Sequence, residues 1–135
     1  MTSLEPRQVV LEFVRRINAH SVAPLADLMS QDHVFIDSTG QRFEGRELMR
    51  GGWAHYFNMF PDYSLQVEST LAHDDIVVAF GMARGTYRVK GELRDENAWA
   101  MPFAIRAVVA GQTVREWRIY ADNHAVQTIL ARHSG

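Results

Sequence analysis

Two aspartates stand at the ends of apolar, aromatic-rich runs, where a carboxylate would meet a greasy surface. The run Val34-Phe35-Ile36 closes on Asp37, and the longer run from Gln112 to Asn123 carries Asp122 just where the chain should turn into a short last helix. A carboxyl held beside apolar neighbours is pushed to a higher pKa, into the working range of a general base. Each aspartate also has a structural use. Asp37 precedes Ser38-Thr39-Gly40, and an Asp at the head of such a sequence nucleates a turn. Asp122 or Asn123 immediately precedes the segment Ala125 to Ala131, and either would cap a helix there. With Asn123 as the cap, Asp122 would be free for proton transfer. Tyr56 offers a hydroxyl that could donate to a substrate oxygen.

Histidine adds less. His33 is four residues before Asp37 on a presumed strand and so shares its side, as an acid/base partner or as an exposed strand end. His124 beside Asp122 is a second proton carrier or a residue of the first helical turn. The six histidines form no His-Glu-x-x-His pair and the chain has no cysteine, so neither a metal nor thiolate chemistry is expected. Gly51-Gly52 lies inside a helical stretch, and no dinucleotide fingerprint, phosphate-binding loop or Gly-x-Ser-x-Gly elbow is present. No cofactor is expected.

The elements that must position these groups are readable from hydrophobic period. Val10, Phe13, Val14 and Ile17 recur at helical spacing, predicting a helix from about Glu5 to Asn18 with Pro6 in its first turn and Ser3 or Glu5 as cap. A shorter helix is predicted near Val22 to Met29, capped by Ser21, and a third from Gly45 to about Phe60, with Met49, Trp53, Tyr56 and Phe60 on one face. After Asp62 the period falls to two. Tyr63, Leu65, Val67 and Leu71 alternate with polar residues, and strands Ile76–Val89 and Asn97–Ala110 follow, joined by a polar hairpin Lys90 to Asp95. Val78, Phe80 and Met82 are expected to face inward together with Trp99, Met101, Phe103 and Ile105. The opposite face would then carry Ala79, Gly81, Ala83, Ala98, Ala100 and Ala104, small enough to admit a second subunit. In the last strand Arg115, Trp117, Ile119 and Ala121 share one side.

Helices first and a long antiparallel meander after them predict an α+β fold: a strongly curved sheet wrapped like a cone around the first helix, with the third helix as lid and a pocket at the open end. Its length of 135 residues suits a single domain, residues 1–135. Apolar content of 47%, charged content of 22% and a net charge of −2 give no basic field for nucleic acid and no membrane partner. The N-terminus lacks a signal-peptide pattern, which makes cytoplasm the default expectation.

Taken together, the helix ending in Ile17-Asn18-Ala19, the run Leu25-Ala26-Asp27-Leu28-Met29-Ser30-Gln31-Asp32-His33-Val34-Phe35-Ile36-Asp37, the start Gly45-Arg46-Glu47, Phe60-Pro61-Asp62 and the closing Glu116-Trp117-Arg118-Ile119-Tyr120-Ala121-Asp122 resemble the SnoaL-like polyketide cyclases. That family sits within the superfamily of nuclear transport factor 2 and the ketosteroid isomerases. The resemblance implies a cone-shaped α+β domain, commonly dimeric through its sheet, whose cavity serves cofactor-free isomerases, hydratases, cyclases and epoxide hydrolases as well as members that catalyse nothing. It also implies that Asp37 corresponds to the isomerases' general base and Asp122 to the acid/base aspartate of the cyclases, which moves protons during an aldol ring closure. Phe13 and Phe103 stand where the isomerases carry their two oxyanion donors, which argues against steroid isomerase chemistry.

The expectation is therefore a cofactor-independent acid/base enzyme of cyclase, isomerase or hydratase type, acting on a small hydrophobic carbonyl compound. Asp37, Asp122 and Tyr56 are its catalytic candidates. Phe13, Ile17, His33, Phe35, Trp53, Phe57, Phe80, Met82, Trp99, Met101, Phe103 and Trp117 are expected to line the pocket. The alternative is a non-catalytic ligand-binding or dimerisation module of the same fold.

Overall fold

A computed structural model describes residues 3–134. Helix α1 (Pro6–Asn18) is followed by α2 (Val22–Asp27), strands β1 (Met29–Ile36) and β2 (Arg42–Glu44), and α3 (Arg46–Met59). Strands β3 (Ser64–His73), β4 (Ile76–Val89), β5 (Glu92–Ala110) and β6 (Thr113–Tyr120) then run in sequence before α4 (His124–Arg132) closes the chain. The six strands form one curved, unclosed sheet in the order β2-β1-β6-β5-β4-β3. Every neighbouring pair is antiparallel except β1 and β6, which run parallel. The architecture is the α+β arrangement expected from the switch of hydrophobic period.

The apolar stripe of α1 lies across the concave side of the sheet. Val9, Val10, Phe13 and Ile17 are fully buried there, and the Phe13 ring sits 4.5 Å from that of Trp117 on β6. Glu5 is the N-cap, its backbone N–H donating to the Gln8 side chain at 2.9 Å, and Pro6 occupies the first turn, where a missing N–H costs nothing. At the far end of α1 the Asn18 side chain donates to Leu65 O at 2.9 Å and accepts from Leu65 N at 2.8 Å, tying the helix to β3.

Three expectations need correction. The strand at Phe35 is longer than its β-branched core suggested: it begins at Met29, and β2 pairs with it across the Asp37 turn. The hairpin expected to span Lys90 to Asp95 is a turn of only Lys90 and Gly91, both at positive φ (53° and 79°), and β5 starts at Glu92. Two consecutive residues of that conformation match the twist of the flanking strands, so polar residues beyond them simply continue the ladder.

The third correction concerns which side of β4 faces the core. Val77, Ala79, Gly81 and Ala83 point inward, while Phe80 is exposed and Val78 and Met82 lie beside it on the outer face. Register explains the inversion. Trp99, Met101, Phe103 and Ile105 of β5 stand directly opposite Gly85, Ala83, Gly81 and Ala79, and residues opposite each other share a face. Large side chains from one strand therefore require small ones from its neighbour. A Cβ on Gly85 would fall 2.8 Å from the Trp99 ring, and one on Gly81 would fall 1.8 Å from the carbonyl oxygen of Gln66. Ala98, Ala100 and Ala104 do lie on the outward side of β5.

Candidate functional site

Between the concave side of the sheet and the helices α3 and α4 lies a cavity of about 360 Å³. Helix α3 and the turn after it contribute Trp53, Tyr56, Met59, Phe60 and Tyr63, because Trp53, Tyr56 and Phe60 recur at spacings of three and four and so share one face. The sheet contributes Phe35 and Phe43, then Leu65, Ala83, Trp99, Met101, Phe103 and Ile105, and finally Ile119, with Ala121 just beyond the last strand. From α4 come Val126 and Leu130. The rings interlock. Tyr56 meets Tyr63 edge to face at 4.9 Å, Phe60 meets Trp99 edge to face at 5.5 Å, and Trp53 lies 6.0 Å from both Tyr56 and Phe35. Such a wall offers large apolar area with few rotatable bonds.

Polar groups gather at the more exposed end, where Asp37, Ser38, Asn123 and Gln127 line the cavity. Asp37 follows Phe35 on the same side of its strand and is half-buried. Its Oδ1 accepts from Thr39 N at 2.9 Å, Thr39 Oγ1 at 2.6 Å and Gln41 N at 3.0 Å. Partial burial alone would raise its pKa; the Thr39 hydroxyl and the N–H groups of Gln41, Thr39 and Gly40 more than offset that, and the carboxyl lies below its ordinary range. The expected upward shift is thus reversed: Asp37 both organises the turn and reaches the cavity.

Asp122 is placed differently. Ala121 and Asn123 line the cavity, whereas Asp122 between them is exposed and its Oδ1 accepts the His124 N–H at 3.0 Å. It completes the first turn of α4, while Asn123, the formal N-cap, makes no capping bond with its side chain and faces the cavity. Of the two arrangements the sequence left open, the one in which Asp122 serves the helix start holds, and the one with Asn123 capping and Asp122 free does not.

Of the residues expected to line the pocket, Phe35, Trp53, Trp99, Met101 and Phe103 do so, with Tyr56 among them. Phe13, Ile17 and Trp117 are buried in the packed layer between α1 and the sheet, and Phe57 stacks on His20 at 4.2 Å, outside the cavity. Phe80 and Met82 are on the other side of the sheet, for the register reason given above. His33 is fully buried; its Nδ1 lies 2.7 Å from Val114 O and so carries the proton, leaving Nε2 buried without a partner. Burial, acting against that carbonyl, lowers its pKa, and the ring is neutral core rather than an exposed strand end or a partner of Asp37.

Sequence reading passed over Tyr63, Phe43, Ile119, Ala121, Asn123 and the residues of α4. Tyr63 and Ile119 carried a signal, since each sits on the apolar side of an alternating run. Nothing in the sequence marked α4 as a cavity wall, because its inward residues Val126 and Ile129 would satisfy any core.

The family model of the SnoaL-like domain matches residues 10–126. No curated protein is similar to the chain at sequence level. Among solved structures, a candidate SnoaL-like polyketide cyclase from Shewanella putrefaciens superposes with a TM-score of 0.80 at 14% identity, over 97% of this chain and 99% of that one. IdmH, a candidate polyketide cyclase from Streptomyces antibioticus, gives 0.77 at 21% identity over 95% and 99%. A protein of ketosteroid isomerase-like fold from Catenulispora acidiphila, solved in complex with trimethylamine, gives 0.77 at 20% identity over 94% and 92%. At such identities the likeness is one of fold.

Proposed function

The chain belongs to the SnoaL-like domain family, and from that membership and the shape of its cavity we propose a cofactor-independent acid/base enzyme acting on a small hydrophobic carbonyl compound, as one domain over residues 1–135. The observation that carries this reading is an aromatic cavity with one ionisable carboxylate at its mouth, Asp37, and a phenol in its wall, Tyr56. A carbonyl oxygen held by the Tyr56 hydroxyl becomes a better electron sink. The adjacent C–H becomes more acidic and Asp37 accepts that proton, the step common to isomerisation and ring closure. In an isomerisation the proton returns to another carbon of the conjugated enolate; in a ring closure the enolate carbon attacks a second carbonyl carbon of the substrate and the proton goes to the new alkoxide oxygen. Burial raises the Tyr56 pKa, so the phenol stays protonated and available as a donor. Asp122 has no part in this reading.

A second reading, a ligand-binding module without turnover, is favoured by a specific feature of Asp37. Its Oδ1 is committed to the turn and its pKa is lowered, which weakens it as a base. One experiment separates the two. The probe is 2-tetralone, an enolisable apolar ketone, and exchange of its α-hydrogens in D2O is followed by NMR. The enzyme reading expects acceleration by the wild type and a loss of at least about a hundredfold in Asp37→Asn, the usual contribution of a positioned base. Saturable binding without accelerated exchange would instead establish the module.

The outer face of the sheet supports a homodimer. Phe80 and Tyr120, 40% and 47% exposed, flank Ala104 in register, with Met82 opposite Pro102 beside them. The apolar character comes from Phe80 and Met82 as well as from the alanines of β5. Among the described residues no helix is long and apolar enough to cross a membrane, and a cytoplasmic site of action is part of the proposal.

A further inference from the structure

The interior end of the cavity has hydrogen-bond donors and no acceptor side chain facing them. Tyr63 is 5% exposed and lines the cavity beside Tyr56. The two rings meet edge to face at 4.9 Å, close enough for a charge on Tyr56 to disfavour one on Tyr63. Among the described residues neither hydroxyl has a side-chain or backbone partner, and neither is among the buried polar atoms sealed off without one, so both are open to a ligand in the cavity. The indole N–H groups of Trp53 and Trp99, in the same ring cluster, are by contrast sealed in the packing without acceptors, which leaves the two phenols as the donors that a ligand can reach. Apart from the phenols themselves, the side-chain acceptor oxygens of the lining are at the mouth, on Asp37, Ser38, Asn123 and Gln127, and among the described residues no Lys, Arg or His lines the cavity.

Tyr63 is also held more firmly than a loop residue needs to be. Its carbonyl oxygen lies 2.8 Å from His20 Nε2. The preceding Asp62 accepts from Thr86 N at 2.7 Å and from Thr86 Oγ1 at 2.6 Å, and Leu65, two residues on, is gripped by Asn18. A donor fixed on both sides of its backbone in an apolar wall is preorganised for a ligand atom.

We infer that Tyr56 and Tyr63 together form the acceptor-binding end of the cavity, so that a ligand binds with a neutral carbonyl oxygen innermost and the carbon adjacent to that carbonyl toward Asp37. Two phenols that burial keeps protonated donate without accepting a negative charge, and the lack of a lining cation disfavours a carboxylate or phosphate in that place. The inference rests on the cavity being the ligand site, and names the orientation and the chemical group recognised there.

The test compares 2-acetonaphthone with 2-ethylnaphthalene, which has the same outline without the oxygen, by equilibrium dialysis against the wild type, Tyr63→Phe and Tyr56→Phe. The wild type should prefer the ketone. Each Phe variant should bind the ketone about five- to tenfold more weakly, the effect of one lost hydrogen bond, and the hydrocarbon within about twofold of the wild type. Unchanged circular dichroism and hydrocarbon affinity show that the variants are folded. If Tyr63→Phe leaves ketone affinity unchanged, or weakens both compounds alike, the inference is overturned while the cavity remains the ligand site. If the wild type binds neither compound, the ligand-cavity reading fails and this inference with it.

Discussion

At Asp37 two opposing influences meet on one carboxyl. Partial burial favours the neutral form, and the turn donors favour the charged one and win. Its residue type and its place after Phe35 were legible in the sequence; the sign of its shift was not, because it depends on where the N–H groups of Thr39 and Gln41 point. His33 shows the same limit. Sequence suggests a histidine at a strand end, whereas the folded chain puts it at zero exposure against Val114 O. A pH dependence follows. The folded-state pKa of His33 is lowered from 6.5, so between that value and the folded one the unfolded chain binds a proton that the native chain does not. Stability from this residue is present above pH 6.5 and declines as the pH falls below it. Thermal melts at about pH 7.5 and 5.5 should show a larger loss for the wild type than for His33→Leu. Equal losses would mean that other groups carry the acid sensitivity.

The pairing of β4 with β5 sets the volume of the cavity, since the large inward residues of β5 are accommodated only by the small ones opposite them. Gly81 is the tightest point. A methyl group there would collide with the Gln66 carbonyl oxygen on the neighbouring strand and press on Phe103. Gly81→Ala should destabilise the protein by on the order of 2–3 kcal/mol, the scale of an overpacked core, read as a drop in melting temperature. A melting temperature within a degree or so of the wild type would show that β3 and β4 separate more freely than their register implies. Gly81 and Gly85 stand in plain view in the sequence, but the close approaches that require them come from neighbouring strands about fifteen residues away along the chain.

For the molecule as a whole, the sheet divides two apolar surfaces. One closes over the cavity and the other remains open to solvent around Phe80 and Tyr120. Phe80→Glu places a charge at the centre of the open face, beside Ala104, and should shift sedimentation from dimer to monomer without altering binding of 2-acetonaphthone. Ala100→Glu tests the same face from β5. Ala83 offers no such test, because it lines the cavity. A wild type that sediments as a monomer would remove the dimer from the proposal.

Hydrophobic period alone determined the order and type of the main elements, the curved α+β sheet, and the aromatic face of α3 that becomes the cavity wall. It did so because spacings of 3.6 and 2 are local properties of the backbone. Only the tertiary structure decided which face of β4 looks inward, which aspartate reaches the cavity, and that Tyr63 and α4 help to enclose it. Both faces of β4 carry apolar residues, and an alternation with no polar side has no preferred direction until a neighbouring strand supplies one. That neighbour is β5, whose Trp99, Met101 and Phe103 fill the space that Gly85, Ala83 and Gly81 leave open.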